Sequence, residues 1–304
     1  MRYVVSGYIG FDNFGDEAIT YVLSQKLKSE GAEKITLISS NPKKTSELYN
    51  VDSCGMFDFF SAIKESDILI SGGGSLLQDV TSLKSLLYYL SVIFTALILR
   101  KKVYIFAQGI GPINSKIGQI LTKFALKRAD KISVRDKKSQ ELLKSWKIES
   151  ELVKDPIFEM EVPQTNKTGI VGIQLRKFNG FGEDFLMKLS NEVKNRFSDK
   201  KIKIFSLQDS IDLEICNRFR EMLIDSGFSD AEVLNNLSIK ETVEKIAESE
   251  YLIAMRFHAN VIGIKAGVKT VAINYDPKIE KLAEEYNLPL INPNEDFSEI
   301  FNEI

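Results

Sequence analysis

The sequence predicts an α/β protein of two Rossmann-like, doubly wound domains facing each other across a cleft. Strand-like and helix-like patterns alternate along the chain, and strands separated by helices of about ten or more residues indicate parallel βαβ units. The alternation is interrupted once, at a polar, proline-containing segment, and then restarts. The length of 304 residues also exceeds what one core usually supports, about 250 to 300 residues.

In order, Arg2 to Ser6 is a strand, followed by a loop carrying Gly7, Gly10 and Gly15 and a helix from about Asp16 to Ser29. Ala18, Tyr21, Val22 and Leu27 give this helix an apolar face, and Asp16 and Glu17 lie in its first turn, where acids suit the dipole. Ile35 to Ser39 is the next strand, Leu48 to Glu65 holds short helical pieces, and Asp67 to Ser71 is a strand closed by Gly72-Gly73-Gly74. An apolar helix follows, then strand Val103 to Ala107, the loop Gln108 to Pro112, helix Lys116 to Lys127, strand Lys131 to Val134, a helix from near Asp136 and strand Glu151 to Val153.

Pro156, Pro163 and the polar run Gln164 to Lys167 mark the boundary. The predicted domains are 1–157 and 168–304, joined by a linker over 158–167. The second domain reads as strand Gly169 to Leu175, helix Glu183 to Arg196, strand Lys201 to Ser206, helix Asp212 to Asp225, strand Glu232 to Leu234, helix Lys240 to Glu248, strand Tyr251 to Ala254, a buried helix Ala259 to Ala266, strand Thr270 to Ile273 and a helix from Lys278 to Tyr286.

Forty basic and 42 acidic residues give a net charge of −2 with both signs dispersed. That argues against a general nucleic-acid binder, and any anion site must be local. Cys54 and Cys216 fit no CxxC or zinc spacing and read as reduced thiols. The amino-terminal residues do not form a secretory signal. Leu86 to Leu99 is apolar except for Ser91 and Thr95, but its fourteen residues fall short of the roughly 20 needed to span a bilayer. It reads as a buried helix in a cytosolic protein, with a peripheral contact at the inner face of the membrane as the alternative.

Candidate site residues cluster at predicted strand ends, where open α/β sheets bind ligands. Arg256 and His258 lie between a strand and a helix start, which itself favours anions. If that junction is extended, residues two apart point the same way and both side chains share one cleft. Arginine offers a charged fork for carboxylate or phosphate, and histidine, of which His258 is the sole example in the sequence, exchanges protons near neutrality. The bland alternative pairs Arg256 with a carboxylate from the other half of the chain and makes His258 a helix cap.

Arg135 and Arg176 also end strands and, with Arg256, could form a pocket for a small, densely charged anion. The loop from Gly7 to Glu17, with Asn13 and Asp16, follows the first strand. It lacks the dinucleotide spacing, and Asp16 could equally be a helix cap. Gly72, Gly73 and Gly74, with Ser75, Gln78 and Asp79, suggest close backbone approach to a ligand, since three glycines exceed what a simple turn needs. Gln108, Gly109 and Gly111 repeat the theme. The sequence contains no Walker loop, HExxH, GxSxG with triad partners or metal-ligand cluster, and a lone histidine makes zinc chemistry a poor fit.

Six ordered stretches resemble the polysaccharide pyruvyl transferases: Asn13 to Glu17, Gly72 to Asp79, Gln108 to Pro112, Val134 to Asp136, Met255 to Ala259 and Tyr275 to Lys278. They are most similar to the cell-surface anchoring (CsaB-type) branch. The resemblance implies a GT-B-like arrangement, phosphoenolpyruvate as co-substrate with no cofactor or metal, and transfer of pyruvate as a ketal to a sugar. In the anchoring branch that sugar is N-acetylmannosamine of a lipid-linked secondary cell-wall polymer precursor, and the product anchors S-layer proteins.

The resemblance also implies that His258 is the catalytic histidine, and that Arg256, with Arg135 or Arg176, binds the donor, leaving the glycine loops to the acceptor. Lys177-Phe178-Asn179 departs from that branch, where a proline and an aromatic are expected, so the acceptor stays open. The implied chemistry suits the residues: His258 as general acid, arginines stabilising the departing charge, and Asp16, or else Asp79, orienting or deprotonating an acceptor hydroxyl. Two other readings compete: a GT-B nucleotide-sugar glycosyltransferase, in which Arg256 holds a diphosphate, and a non-catalytic polysaccharide-binding module.

Overall fold

A computed structural model describes residues 1–167, 169–178, 182–228 and 230–303. The chain divides into two compact units, Met1–Met160 and Glu161–Ile304.

In the first unit the strands β1 (Arg2–Ser6), β2 (Lys34–Ser39), β3 (Asp52–Gly55), β4 (Ile68–Gly72), β5 (Lys102–Gln108), β6 (Lys131–Val134) and β7 (Glu151–Leu152) form one sheet in the order β3-β2-β1-β4-β5-β6-β7. All pairings among these residues are parallel, so each connection must cross over. The helices are α1 (Phe14–Ser29), α2 (Pro42–Tyr49), α3 (Phe59–Glu65), α4 (Leu83–Ile98), α5 (Lys116–Leu126) and α6 (Lys137–Ser145). The strand order reverses between β1 and β4, so right-handed crossovers place helices on opposite faces on either side of that point.

The second unit repeats the plan with β8 (Ile170–Gln174), β9 (Lys201–Phe205), β10 (Ala231–Leu234), β11 (Tyr251–Ala254), β12 (Lys269–Ile273) and β13 (Leu290–Ile291) in the order β10-β9-β8-β11-β12-β13. Its helices are α7 (Glu183–Phe197), α8 (Asp209–Asp225), α9 (Ile239–Ala247), α10 (Phe257–Lys265), α11 (Pro277–Tyr286) and α12 (Ser298–Glu303). Here the reversal falls between β8 and β11.

The central strands are buried on both faces, as β4 (Ile-Leu-Ile-Ser-Gly) and β8 (Ile-Val-Gly-Ile-Gln) show, which is why they read as apolar runs rather than alternations. Each unit has its own core. Leu69, Val103, Ile105 and Val134 pack with Leu86, Tyr89 and Ile93 of α4 in the first. Ile173, Ile204 and Ile253 pack with Leu189, Phe197 and Phe219 in the second.

Several expectations are corrected. Leu48 to Glu65 does hold helical pieces, the end of α2 and α3, but Asp52–Gly55 between them is an edge strand, paired among the described residues with β2 alone. Its polar sequence gave no strand signal, because an edge strand buries little. The two-residue β13 and the helix α12 were too short to read. Helix α1 starts at Phe14 with Asn13 as its cap, the Asn13 side chain accepting from Gly15 N at 3.2 Å; Asp16 lies inside the first turn and is not the cap. Helix α10 likewise starts at Phe257, so His258 sits in a helical turn rather than an extended junction. Arg256, at the cap, and His258, in the first helical turn, therefore do not point the same way as residues two apart in a strand do.

Two features fix α10 against its sheet. Lys167 donates to the carbonyls of Ala247 and Ala266 at 2.7 and 2.8 Å, tying together the ends of α9 and α10. Gly263 lets the helix lie close, because a Cβ there would fall 2.6 Å from both Leu252 Cδ2 and Thr270 Oγ1. Alanine is the better helix former by about 1 kcal/mol, but overpacking a tight contact costs about 1–3 kcal/mol. Gly263→Ala is therefore expected to lower stability in urea unfolding. A gain would show that α10 can ride off the sheet without loss.

Candidate functional site

Both reversal points expose the carboxyl ends of two adjacent strands, the position at which open α/β sheets bind ligands. In the first unit these ends lead into Gly7–Asn13 after β1 and Gly73–Ser82 after β4. Gly73 and Gly74 have φ of +75° and +64°, a region open to glycine with little strain. A Cβ on Gly73 would lie 2.6 Å from Ile19 Cγ2, and one on Gly74 2.5 Å from Asp16 Oδ1. The triplet is thus explained in part by the close passage of α1, and Asp16 is brought against Gly74. Asn13 Nδ2 donates to Asp16 Oδ2 at 2.7 Å, so Asn13, Asp16 and Gly74 form one group.

Glu17 is a buried acid that the sequence reading passed over as a first-turn residue. It accepts from Gly10 N at 2.7 Å and from the Tyr49 hydroxyl, so it fixes the glycine loop from beneath. Burial raises its pKa despite those hydrogen bonds and pushes that of Tyr49 well up. Above it the rings of Tyr8 and Phe11 stack at 4.1 Å. The usable signal was aromatic residues flanking Gly10.

Other predicted residues in this unit have structural partners. Asp79 accepts from the backbone N–H of Asn114 and Ser115, both at 2.7 Å, and these bonds lower its pKa. Both carboxylate oxygens thus anchor the loop to the segment before α5, and the reduced basicity makes Asp79 a poorer base than an unpaired carboxylate. Gln108 is fully buried and donates to Ser71 Oγ at 2.9 Å, so its side chain braces β4 against β5, with Oε1 buried and without a hydrogen-bond partner. Gln78 bonds Thr81 through both amide atoms. Gly109 N and Gly111 N bond the carbonyls of Gly74 and Leu77, closing the two glycine loops on each other. Arg135 reaches Asp155 at 2.6 Å and Ser75 Oγ at 3.1 Å, a nearly buried pair that occupies Ser75 as well.

In the second unit the ends of β8, β11 and β12 bring Arg176, Arg256 and Tyr275 together. Asn260 holds the turn into α10 by donating to the carbonyls of Ala254 and Arg256, both at 3.0 Å. Arg256, 7% exposed, is gripped by the fully buried Asp212 of α8 through Nε and Nη2, each at 2.7 Å. Gln208 accepts a further bond from Nη2, and Gln174 Oε1 accepts from Arg256 N. The anticipated carboxylate partner exists, but it comes from the same unit and not from the other half of the chain. Gln174, Gln208 and Asp212 were missed; a glutamine in the otherwise apolar run Ile170–Leu175 was the available signal.

Arg176 differs. Its N–H donates to Met255 Sδ at 3.1 Å, tying β8 to β11, and its guanidinium lies 5.7 Å over the Tyr275 ring. Among the described residues no carboxylate pairs with it, and its Nε is buried without a hydrogen-bond partner. His258, half-buried, occupies the first turn of α10, beside N–H groups that precede the first intrahelical bond. Asn179 lies outside the described residues. Cys54 and Cys216 are free thiols whose pKa values burial pushes up to about 11 and about 12, so neither is a nucleophile at neutral pH.

Two parallel-sheet units, each with polar groups gathered at its reversal point, make an α/β fold of the GT-B kind. The chain belongs to the polysaccharide pyruvyl transferase family, whose profile it matches over residues 13–277. No curated protein matches it. Among solved structures it is similar to the UDP-GlcNAc 2-epimerase of Methanocaldococcus jannaschii (TM-score 0.67, 12% identity, covering 100% of this chain and 92% of the other). It is also similar to Anabaena HepE in complex with UDP and glucose (0.65, 11%, 100% and 89%) and to the UDP-GlcNAc 2-epimerase of Neisseria meningitidis (0.61, 11%, 100% and 90%). At these identities the likeness is one of fold.

Removing Asp212 leaves a buried guanidinium without its counter-charge. Asp212→Ala is expected to destabilise by about 3–5 kcal/mol in urea unfolding, and Asp212→Leu with Arg256→Met to recover most of that. Equal losses in both would show that packing, not charge, is at stake. For Glu17, a raised folded pKa favours the fold below the ordinary carboxylate range, and that contribution is lost as pH rises through the raised value. The stability of the wild type relative to Glu17→Gln should therefore fall as pH rises above the ordinary carboxylate range, and a rise would show that the folded state does not disfavour the charged form.

Proposed function

We propose that the protein transfers pyruvate from phosphoenolpyruvate to a sugar of a polysaccharide precursor, forming a ketal and releasing phosphate. Family membership supports pyruvyl transfer to a polysaccharide as the general function. The observation that carries the donor assignment is Arg176: a half-buried guanidinium at the reversal point, with no carboxylate partner among the described residues and an unsatisfied Nε. A buried donor of this kind is unfavourable until an anion occupies it, and arginine matches carboxylate and phosphate oxygens in a planar fork. Arg256, held by Asp212, serves as a fixed wall of the donor site rather than its clamp.

In this reading His258 protonates the methylene carbon of phosphoenolpyruvate, making the methyl group and leaving oxocarbenium character on the carbon that bears phosphate. One sugar hydroxyl adds there and loses its proton. A second hydroxyl on the same sugar then displaces phosphate, its proton passing to the phosphate oxygen, and the departing hydrogen phosphate dianion is stabilised by Arg176 and by the first N–H groups of α10. Asp16, steadied by Asn13, orients or accepts a proton from an acceptor hydroxyl. The acceptor we favour is N-acetylmannosamine of a lipid-linked secondary cell-wall polymer precursor, as in the anchoring branch.

Thermal unfolding with phosphoenolpyruvate, and separately with UDP, tests this without knowledge of the acceptor, since a ligand at about 100 times its Kd stabilises by about 2.7 kcal/mol. The expected result is a shift with phosphoenolpyruvate that Arg176→Ala removes and His258→Ala keeps, while His258→Ala abolishes phosphate release in the presence of acceptor. A shift with UDP alone would assign the fold to nucleotide-sugar chemistry instead. Activity near wild type in His258→Ala would remove the acid assignment.

A further inference from the structure

From Val80 to Ala129 the chain carries eight lysines and arginines and no acidic residue, a local charge of +8 in a protein of net charge −2. The same stretch contains α4 and α5, which pack side by side, with Phe94 and Phe124 in contact at 6.0 Å between ring centroids. Helix α4 buries Leu86, Tyr89, Leu90, Val92, Ile93 and Ala96. Its opposite side is also apolar: Leu87 and Ile98 are exposed and Phe94 is half-exposed. Helix α5 adds Ile117 and Ile120, 66% and 67% exposed, and Phe124, 47% exposed. At 3.6 residues per turn, positions 117, 120 and 124 lie on one face, and 116, 123 and 127 form a lysine row alongside. Arg128 lies over the Phe124 ring at 3.5 Å.

An exposed apolar face of this extent marks an interaction site, and the charge pattern selects the partner. A protein core or a neutral partner requires no cationic border, whereas an anionic bilayer surface takes apolar side chains below the headgroups and attracts lysines that snorkel at its rim. Among the described residues no helix is long and apolar enough to cross a membrane, so the contact is one of lying on the surface. We infer that the α4/α5 face docks on an anionic lipid surface through Leu87, Phe94, Ile98, Ile117, Ile120 and Phe124, with Lys116, Lys123 and Lys127 meeting the headgroups. In parallel crossovers, helices run opposite to the strands, so Leu87 and Ile117 lie toward the end of the first unit that carries the glycine loops. The inference does not depend on the reaction proposed above.

The test is co-sedimentation of the full chain with vesicles of phosphatidylcholine alone or mixed with phosphatidylglycerol, with no donor or acceptor present. Binding to the anionic vesicles that weakens with salt is expected. Lys116→Gln, Lys123→Gln and Lys127→Gln together should weaken it on the order of 100-fold, at about fivefold per charge. Ile117→Glu with Ile120→Glu should abolish it, and since these side chains are 66% and 67% exposed the thermal midpoint should not change. Failure of the wild type to bind anionic vesicles, or equal binding by all three proteins, would overturn the proposal. Self-association that Ile120→Glu abolishes, without vesicle binding, would assign the face to a second copy and overturn it equally.

Discussion

Parallel pairing is the constraint on which the rest of this structure depends. A parallel strand cannot be joined to its neighbour by a tight turn, so every connection crosses over through a helix or loop and every following loop leaves from the same edge of its sheet. Each sheet then has one place where crossovers on the two sides diverge, leaving strand ends uncovered. In the first unit this place is β1/β4 and in the second β8/β11. The glycine loops, Asn13 and Asp16 stand at one, and Arg176, Arg256 and His258 at the other, because those residues end strands or begin helices there. Each candidate site is thus a product of topology before it is one of side-chain chemistry.

Much of this was legible in sequence because buried parallel strands are apolar on both faces and stand out as short runs between helical patterns. Every central strand could be read, whereas β3, β13 and α12 could not. An edge strand such as Asp52–Gly55 buries one side at most, and a two-residue strand carries no period. The candidate residues were recognisable by type and position, but not by pairing. Nothing in the spacing of Arg256 and Asp212, 44 residues apart, or of Arg135 and Asp155, announces an ion pair. Contacts between separate βα units are set by how helices lie on the sheet, which one-dimensional patterns do not encode. Glu17 shows the reverse case: acids in first turns are commonplace, and only burial beneath Gly10 and Tyr49 makes this one unusual.

The pairings change the meaning of the arginines. Three strand-end arginines suggest a cationic pocket, yet Arg135 and Arg256 have their charge met by Asp155 and Asp212. A buried pair gains little net stability over apolar packing, but it holds both members in fixed geometry. Asp212 also accepts from Leu207 N at 3.2 Å, and Gln174 links it to the Arg256 backbone, so the pair joins β8, the end of β9, α8 and the start of α10. The reversal point of the second unit is therefore cross-braced by its own side chains.

This bracing matters for the remaining arginine. With Met255 accepting from Arg176 N, the backbone that carries Arg176 is tied to the end of β11, while its guanidinium lies over Tyr275 without a carboxylate among the described residues. An anion-binding arginine that already had a carboxylate partner would have to break that pair on every ligand exchange, and one on a mobile loop would lose more conformational freedom on binding. Arg176 avoids both penalties. The division of labour between a neutralised, structural Arg256 and an uncompensated Arg176 concentrates positive potential at one point of a chain whose overall charge is slightly negative. That is the local field which the donor proposed above would need, where no long-range steering is available.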